Sequence, residues 1–252
     1  MNEKKSIFQT IAESGQYFAA LLILVAVAFV IAVIAEKMAG KNEEKQEGKL
    51  LDIRKMAIIG VFSALSFVLM LLEFPLPFAP EFYKFDFSDI PALIGGFAAG
   101  PFTGVMIEFI KILLKIVIKG TSSGFVGEIA NFVIGASFVV PATIIYRFRK
   151  TRNTALISCL AGTVCITVAG VLLNAFFLLP AYAVMYGMDV SGFVDMGTKI
   201  NPAITNLTTF CLCAVAPFNL IKGVVDSIIT FVSYKHISPI FKSSGSNYSV
   251  KE

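Results

Sequence analysis

The chain carries charged and amide side chains at helical spacing inside segments that are otherwise apolar. Each set follows an i, i+3, i+7 pattern, which places its members within about 60° of one another on a helix. A charged side chain at the bilayer centre costs roughly 2.5–3.5 kcal/mol, so such a face needs an internal partner or a polar cavity. The sets are Glu108/Lys111/Lys115, Glu128/Asn131/Gly135 and Asn219/Lys222/Asp226.

These side chains suit the binding of a hydrogen-bonding ring compound. The amides of Asn131 and Asn219 both donate and accept, which matches the alternating N–H and C=O edge of a pyrimidine-like ring. Lys222 only donates, and would face a carbonyl, a ring nitrogen or simply Asp226. The alternative is that the charged residues form structural ion pairs within each helix. We expect the three faces to converge on a polar cavity.

Aromatic and polar residues alternate in the stretch "FYKFDFSDIP", Phe82–Pro91. An extended chain with this alternation shows rings on one side and polar groups on the other. We expect a lid whose rings stack on a planar ligand while Asp86 or Asp89 accepts hydrogen bonds from hydroxyl groups. Two alternatives are an aromatic belt at the membrane interface, and Asp89 as the N-cap of a helix with Pro91 in its first turn.

The composition places these residues in a membrane protein. The chain has 252 residues, of which 56% are hydrophobic and 15% charged, and its mean hydropathy is +0.80. We predict an all-α integral membrane fold with a six-helix core and one extra N-terminal transmembrane helix. The hydrophobic segments lie at about 17–35, 53–73, 89–100, 102–119, 124–147, 154–184 and 204–233.

Charge along the chain predicts its organisation and orientation. Basic residues concentrate between the first two segments, after the fifth and after the last, so the positive-inside rule predicts an external N-terminus and a cytoplasmic C-terminus. The first segment has an alternative interpretation as a cleaved signal peptide. The predicted units are 1–50, an accessory helix with a charged linker; 51–238, the binding core; and 239–252, a disordered cytoplasmic tail.

Motifs for hydrolysis or metal binding are missing from the sequence. It contains no GxxxxGK[ST], HExxH, GxSxG or GxGxxG motif. The four cysteines, Cys159, Cys165, Cys211 and Cys213, lie in apolar segments without a histidine nearby, which is typical of core packing. Basic residues cluster at helix ends, which argues against nucleic-acid binding. We therefore predict no catalytic residues, no metal and no enzymatic activity.

Three stretches resemble a known family. "KFDFSDIPALIGGFAAGPFTGVMIEFIKILL", "GTSSGFVGEIANFVIG" and "NLIKGVVDSIIT" are similar to the riboflavin-specific S-components of energy-coupling factor (ECF) transporters, and the resemblance covers about residues 50–236. It implies a six-helix subunit that captures riboflavin from outside as a transported ligand, without a cofactor. It also implies partners on separate chains, namely a transmembrane coupling protein and two ABC-type ATPases, which agrees with the missing P-loop.

The resemblance also assigns roles to residues. In this family the first core helix offers small residues to the coupling protein, and here Ala57, Gly60 and Ala64 match; packing within the bundle is the alternative. Glu108 and Lys111 are further candidates for the binding site. The substrate-binding residues that it implies are Tyr83, Asp86, Phe87, Ser88, Glu128, Asn131, Asn219 and Lys222.

A second function remains open on the sequence. Glu108, Glu128 and Asp226 are acidic residues at membrane depth, and such residues relay protons in self-sufficient carriers of small solutes. The sequence also leaves open whether the ligand is riboflavin, its phosphate or an analogue, because basic residues near the predicted cavity suit either charge state.

Overall fold

The computed structural model describes residues 15–40, 50–121 and 123–243, and these form a helical bundle. One π-helical turn, Asn174–Leu178, joins two helices into a long apolar stretch, and another, Cys211–Val215, precedes the last helix. The predicted all-α architecture is confirmed. The helices are α1 (Gly15–Gly40), α2 (Ile53–Leu71), α3 (Asp89–Ala99), α4 (Pro101–Lys119), α5 (Val126–Phe148), α6 (Arg152–Leu173), α7 (Leu179–Tyr186), α8 (Val190–Thr198), α9 (Leu207–Phe210) and α10 (Ala216–Ser243).

Five helical stretches within the described residues are long and apolar enough to cross a membrane. They are Gly15–Ala39, Ile53–Leu71, Val126–Phe148, Arg152–Tyr186 and Leu207–Ser233. Helix α3 has 11 residues, and at 1.5 Å per residue it spans about 16 Å, short of a ~30 Å hydrocarbon core. Helix α4 has 19 residues but carries four charged ones. The number of crossings therefore stays a prediction.

Two helices extend beyond the predicted hydrophobic segments, and parts of the predicted linker and tail are not described. Helix α8 lies between the predicted hydrophobic segments 154–184 and 204–233. Helix α10 extends to Ser243, into the predicted tail. The predicted linker residues 41–49 and the tail residues 244–252 lie outside the described residues.

Helix α3 lies at the centre of the bundle. It packs against α2, α4, α5 and α10, and ten of its 11 residues are buried. The chain turns from α3 into α4 at Gly100, whose φ of +105° suits glycine, and Pro101 follows at the first position of α4. This Gly-Pro turn places the first turns of α4 beside α3.

The connection between α2 and α3 folds back on itself as a short hairpin. Strand β1 (Phe74–Pro75) pairs antiparallel with β2 (Lys84–Phe85), with Phe74 opposite Phe85. Lys84 lies exposed on this hairpin and contacts Glu73, with 3.2 Å between Nζ and Oε1. The pairing fixes where the "FYKFDF" residues enter the bundle.

Helix α6 packs closely on both α5 and α10, and small residues make this possible. A Cβ atom at Gly162 would lie 2.9 Å from the backbone oxygen of Phe138 in α5. On its other side, α6 meets α10 where the hydroxyl groups of Thr163 and Ser227 are 3.0 Å apart. The close approach depends on the absence of a side chain at Gly162.

We expect Gly162→Ala to destabilise the protein by about 1–3 kcal/mol, because the added methyl group meets backbone that cannot move without separating α5 from α6. Thermal unfolding in detergent measures the effect. Leu160→Ala, at a position that is 54% exposed on the same helix, is the control and should change stability far less. Equal melting temperatures for the two variants would contradict this account of the packing.

Candidate binding site

The first part of the site is a buried lysine in α4. Lys111 is fully buried, and its Nζ lies 2.6 Å from Glu108 Oε2 on the same helix. The same ammonium group lies 2.5 Å from Asp89 Oδ1 and donates to Ser88 Oγ at 2.9 Å. Lys111 therefore ties α4 to the start of α3, where the hairpin connection ends.

The second part is a lysine in α10. Lys222 Nζ donates to the backbone oxygen of Asp86 at 2.9 Å and to its Oδ1 at 3.1 Å. The same Nζ lies 3.2 Å from Asp89 Oδ2 and 3.8 Å from Asp226 Oδ2. Asp89 thus sits between two lysines, one oxygen on Lys111 and the other on Lys222. The polar faces predicted on α4 and α10 meet in ion pairs, and one of these, Glu108–Lys111, lies within a single helix as the alternative interpretation has it. The predicted polar cavity stays a prediction.

Carboxyl groups outnumber ammonium groups in this cluster. Among the residues that the structure describes, Lys111 and Lys222 are the two lysines that contact the carboxyl groups of Asp86, Asp89, Glu108 and Asp226, which gives an excess of two acidic groups. Within the described residues, Glu108 Oε1 and both carboxyl oxygens of Asp226 are buried and receive no hydrogen bond. Buried acceptors without donors are costly, so the cluster favours protons or a ligand that brings N–H or O–H groups.

The aromatic residues of the hairpin pack against α10. Phe85 is buried, with its ring centroid 6.4 Å from that of Phe218 and 5.8 Å from Lys222 Nζ. Tyr83 also contacts Phe218, with ring centroids 5.6 Å apart, and Phe87 meets Phe85 edge-on at 5.2 Å. The rings and the ion-pair cluster therefore occupy the same end of the bundle.

A hydrogen bond joins the hairpin to the π-helical turn that follows α6. The Tyr83 hydroxyl donates to Asn174 Oδ1 at 2.5 Å, and Asn174 Nδ2 donates to the backbone oxygen of Gly170 at 2.8 Å. Burial raises the pKa of the Tyr83 phenol well above its usual value, which keeps it protonated as a donor. Asn174 was not among the predicted site residues, although an amide inside an apolar segment is the signal that would have indicated it.

The alternative interpretation of Asp89 as an N-cap is wrong. Ser88 occupies the N-cap position of α3, and Asp89 is the first helical residue, where its carboxylate serves the two lysines. Asp86 Oδ1 accepts the Ser88 N–H at 2.8 Å, and Ser66 in α2 donates to the Ser88 backbone oxygen at 2.7 Å. Asp86 and Ser88 are buried, but so is Phe85, whereas Lys84 is exposed. The loop therefore does not divide into one polar side and one aromatic side as the alternation predicts.

The chain matches a family model described as "ECF transporter, substrate-specific component" over residues 54–234. The chain belongs to this family. The resemblance read from the sequence motifs is confirmed, and the S-component is a transporter component, not an enzyme.

Curated relatives and a solved structure agree with this family. The S-component is 32% identical over 192 residues to "Riboflavin transporter FmnP" of Bacillus subtilis (strain 168), covering 75% of this chain and 94% of that protein. It is 31% identical over 190 residues to "Riboflavin transporter RibU" of Staphylococcus aureus (strain TCH60), covering 75% and 93%. A solved structure titled "Structure and mechanism of the S component of a bacterial ECF transporter" shares 31% identity and a TM-score of 0.58, covering 75% of this chain and 98% of that one.

The third predicted polar face, on α5 of the S-component, reaches the cluster only in part. Glu128 Oε2 accepts hydrogen bonds from Thr121 and Ser123 at 2.8 and 2.7 Å, so its partners lie in the turn before α5. Asn131 is half-buried one turn further on. A Cβ atom at Gly135 would lie 3.4 Å from Asp89 Oδ1, so this glycine makes room for the carboxylates.

Asn219 lies on the α10 face that also carries Lys222. It is buried, its Nδ2 donates to the Val215 backbone oxygen at 2.9 Å, and a Cβ atom at Gly170 would lie 2.7 Å from its Cγ. Gly170 is also the residue whose carbonyl accepts from Asn174. Asn219 and Asn174 therefore meet at one glycine of α6.

The small residues predicted to contact a coupling protein lie on the outer surface of α2. Ala57, Gly60 and Ala64 are exposed, and no heavy atom lies within 4 Å of a Cβ built at Gly60. They do not pack inside the bundle, which removes the alternative given above. Their contact with another protein stays a prediction.

We expect Lys111→Met to destabilise the S-component by about 3–5 kcal/mol, because it leaves Glu108 buried without the ammonium group that contacts it and Asp89 with Lys222 alone. Lys119→Met on the same helix removes an exposed lysine 3.5 Å from Glu73 and should cost less than about 1 kcal/mol. Unfolding of the purified proteins, followed by intrinsic fluorescence or by loss of monodisperse protein, compares them. Similar stabilities would contradict the bridging role of Lys111.

Proposed function

We propose that this S-component is the high-affinity riboflavin-binding membrane subunit of an ECF-type importer. The relatives at about 30% identity are named riboflavin transporters and align over more than nine-tenths of their length. The observation that carries the proposal is the contact between Lys222 and Asp86, which brings a charged hydrogen-bonding group and a set of aromatic rings to one place.

The chemistry of a flavin fits both the aromatic rings and the charged, hydrogen-bonding groups at this end of the bundle. Its planar ring system suits stacking against the rings of Tyr83 and Phe87, which are half-buried. Its ring edge alternates C=O and N–H groups, which the amide of Asn219 and the ammonium of Lys222 complement. Its hydroxylated side chain brings the donors that buried carboxyl oxygens such as those of Asp226 lack.

The proposed site therefore includes residues from the hairpin, α5 and α10. Glu128 and Asn131 follow the turn before α5, and their inclusion rests on the family motif. Tyr83 donates to Asn174 in the π-helical turn after α6, and Lys222 of α10 donates to Asp86. These contacts hold the hairpin against the bundle, and in this proposal the hairpin is the lid of the site. The proposed substrate-binding residues are Tyr83, Asp86, Phe87, Ser88, Glu128, Asn131, Asn219 and Lys222.

Energy for import would come from separate chains. The proposal assigns coupling to a transmembrane partner protein that contacts Ala57, Gly60 and Ala64 on the exposed face of α2, and ATP hydrolysis to two ABC-type ATPases. The hairpin would face outward and the C-terminus the cytoplasm, in line with the basic residues between α1 and α2 and after α5. The family match does not favour a self-sufficient proton-coupled carrier.

We expect purified wild-type protein to bind riboflavin, and Asn219→Ala to weaken binding by roughly 5- to 150-fold, the equivalent of about 1–3 kcal/mol for a lost buried hydrogen bond. Titration with riboflavin and, in parallel, with its phosphate measures the affinity and separates the two ligands. Asn153→Ala, an exposed amide at the start of α6, is the matched control and should bind like wild type. Wild-type protein that binds neither flavin would refute the proposal.

We expect Tyr83→Phe to speed flavin release about 3- to 10-fold, because the ring stays while Asn174 loses its donor and the lid is held less firmly. Stopped-flow recovery of flavin fluorescence after dilution measures the rate. Tyr186→Phe, which is 57% exposed, is the control. An unchanged release rate would show that the hydroxyl of Tyr83 does not hold the lid.

A further inference from the structure

Helix α1 precedes the region that the family model matches, yet it is docked on the core. One face of α1 lies in the groove between α4 and α5, where Leu21 and Ala32 are fully buried. The Phe29 ring stacks on Phe132 of α5 at 5.8 Å and meets Phe109 of α4 edge-on at 5.4 Å. These contacts are those of a bundle helix, not of a tether that crosses the membrane alone.

The opposite face of α1 suits lipid. Ile23, Val30 and Met38 are each more than half exposed, and all three are apolar. Because lipid is as apolar as these side chains, the hydrophobic effect does not drive such a helix to associate with its neighbours. Association within the membrane depends instead on close packing or polar contacts. Ala28 and Ala32 on the buried side allow close packing over the middle of the helix.

A polar contact lies near the C-terminal end of α1 in this interface. Glu36 of α1 is fully buried, and Lys55 of α2 donates to its Oε1 at 2.7 Å. Arg147, near the end of α5, has its Nη2 4.0 Å from the same oxygen. The Phe102 N–H, in the first turn of α4, donates to Oε2 at 3.5 Å. One carboxylate from α1 therefore contacts the ends of three core helices.

The electrostatics of this contact are favourable. The first N–H groups of a helix have no partner within it and carry a partial positive charge, so an anion at the start of α4 is stabilised. Lys55 and Arg147 supply two full positive charges at the same point. A buried carboxylate with such partners fixes its helix in one register, since a shift of α1 along the groove would leave Glu36 uncompensated.

We propose that the groove between α4 and α5 is a helix-docking surface whose occupant is the chain's own α1, and that Glu36 is the residue that locks α1 there. The lock ties the ends of α2, α4 and α5 together. Lys55 lies near the start of α2, whereas the hairpin follows the end of α2. The contact with Glu36 is therefore roughly 24 Å from the hairpin, measured along α2. The proposal also implies that α1 is retained and not cleaved as a signal peptide.

Full-length variants in mild detergent test the lock. Glu36→Gln should lower the apparent melting temperature by at least about 5 °C, because Lys55 and Arg147 lose their shared carboxylate. Lys37→Gln, at the adjacent exposed position, should melt within about 1 °C of wild type. If Glu36→Gln and Lys37→Gln melt alike, Glu36 does not lock the helix and the proposal is overturned.

A second measurement tests the docking itself. A protease recognition sequence is inserted after residue 44 of the full chain, the purified protein is cut, and the core is recovered through a C-terminal tag. The N-terminal fragment should stay with the core in wild type and Lys37→Gln, and should be lost to a larger extent in Glu36→Gln. Loss of the fragment from the wild-type protein would overturn the proposal, because it would show that α1 does not stay bound in the groove between α4 and α5.

Discussion

The arrangement of the core depends on the need of two buried lysines for carboxylates. Lys111 and Lys222 come from helices far apart in the chain, and Asp89 contacts both through its two oxygens. Since a buried ammonium without a partner costs several kcal/mol, α3, α4 and α10 are held where their charges meet. The central position of the short α3 follows, because its first residue supplies the shared carboxylate.

The helical periodicity of the sequence predicted part of this arrangement. The i, i+3 and i+4 spacing shows that Glu108 and Lys111 share a face, and that Lys222 and Asp226 share another. It does not show which of several acidic groups a lysine prefers. Lys222 lies closer to Asp86, 136 residues away in sequence, than to Asp226 one turn away. Such a pairing depends on where the hairpin folds back, which no local pattern encodes.

Other features escaped prediction for related reasons. The Tyr83–Asn174 hydrogen bond joins residues 91 apart in sequence, and Asn174 sits in a π-helical turn inside a long apolar segment. The apolar run predicts a continuous helix there, and the altered turn becomes visible only in the structure. The fold class and hydrophobic segments were predictable because membrane insertion depends on composition along the chain, whereas the docking of α1 through Glu36 depends on contacts between helices.

In the proposed site, the contact between Lys222 and Asp86 bears on selectivity. Lys222 already has a partner in its own chain, so any solute that takes the ammonium competes with a backbone carbonyl and a carboxylate. A hydrocarbon of flavin shape can match the rings but has nothing to exchange for those bonds. If a solute binds at the proposed site, its polar edge therefore decides which solutes are accepted.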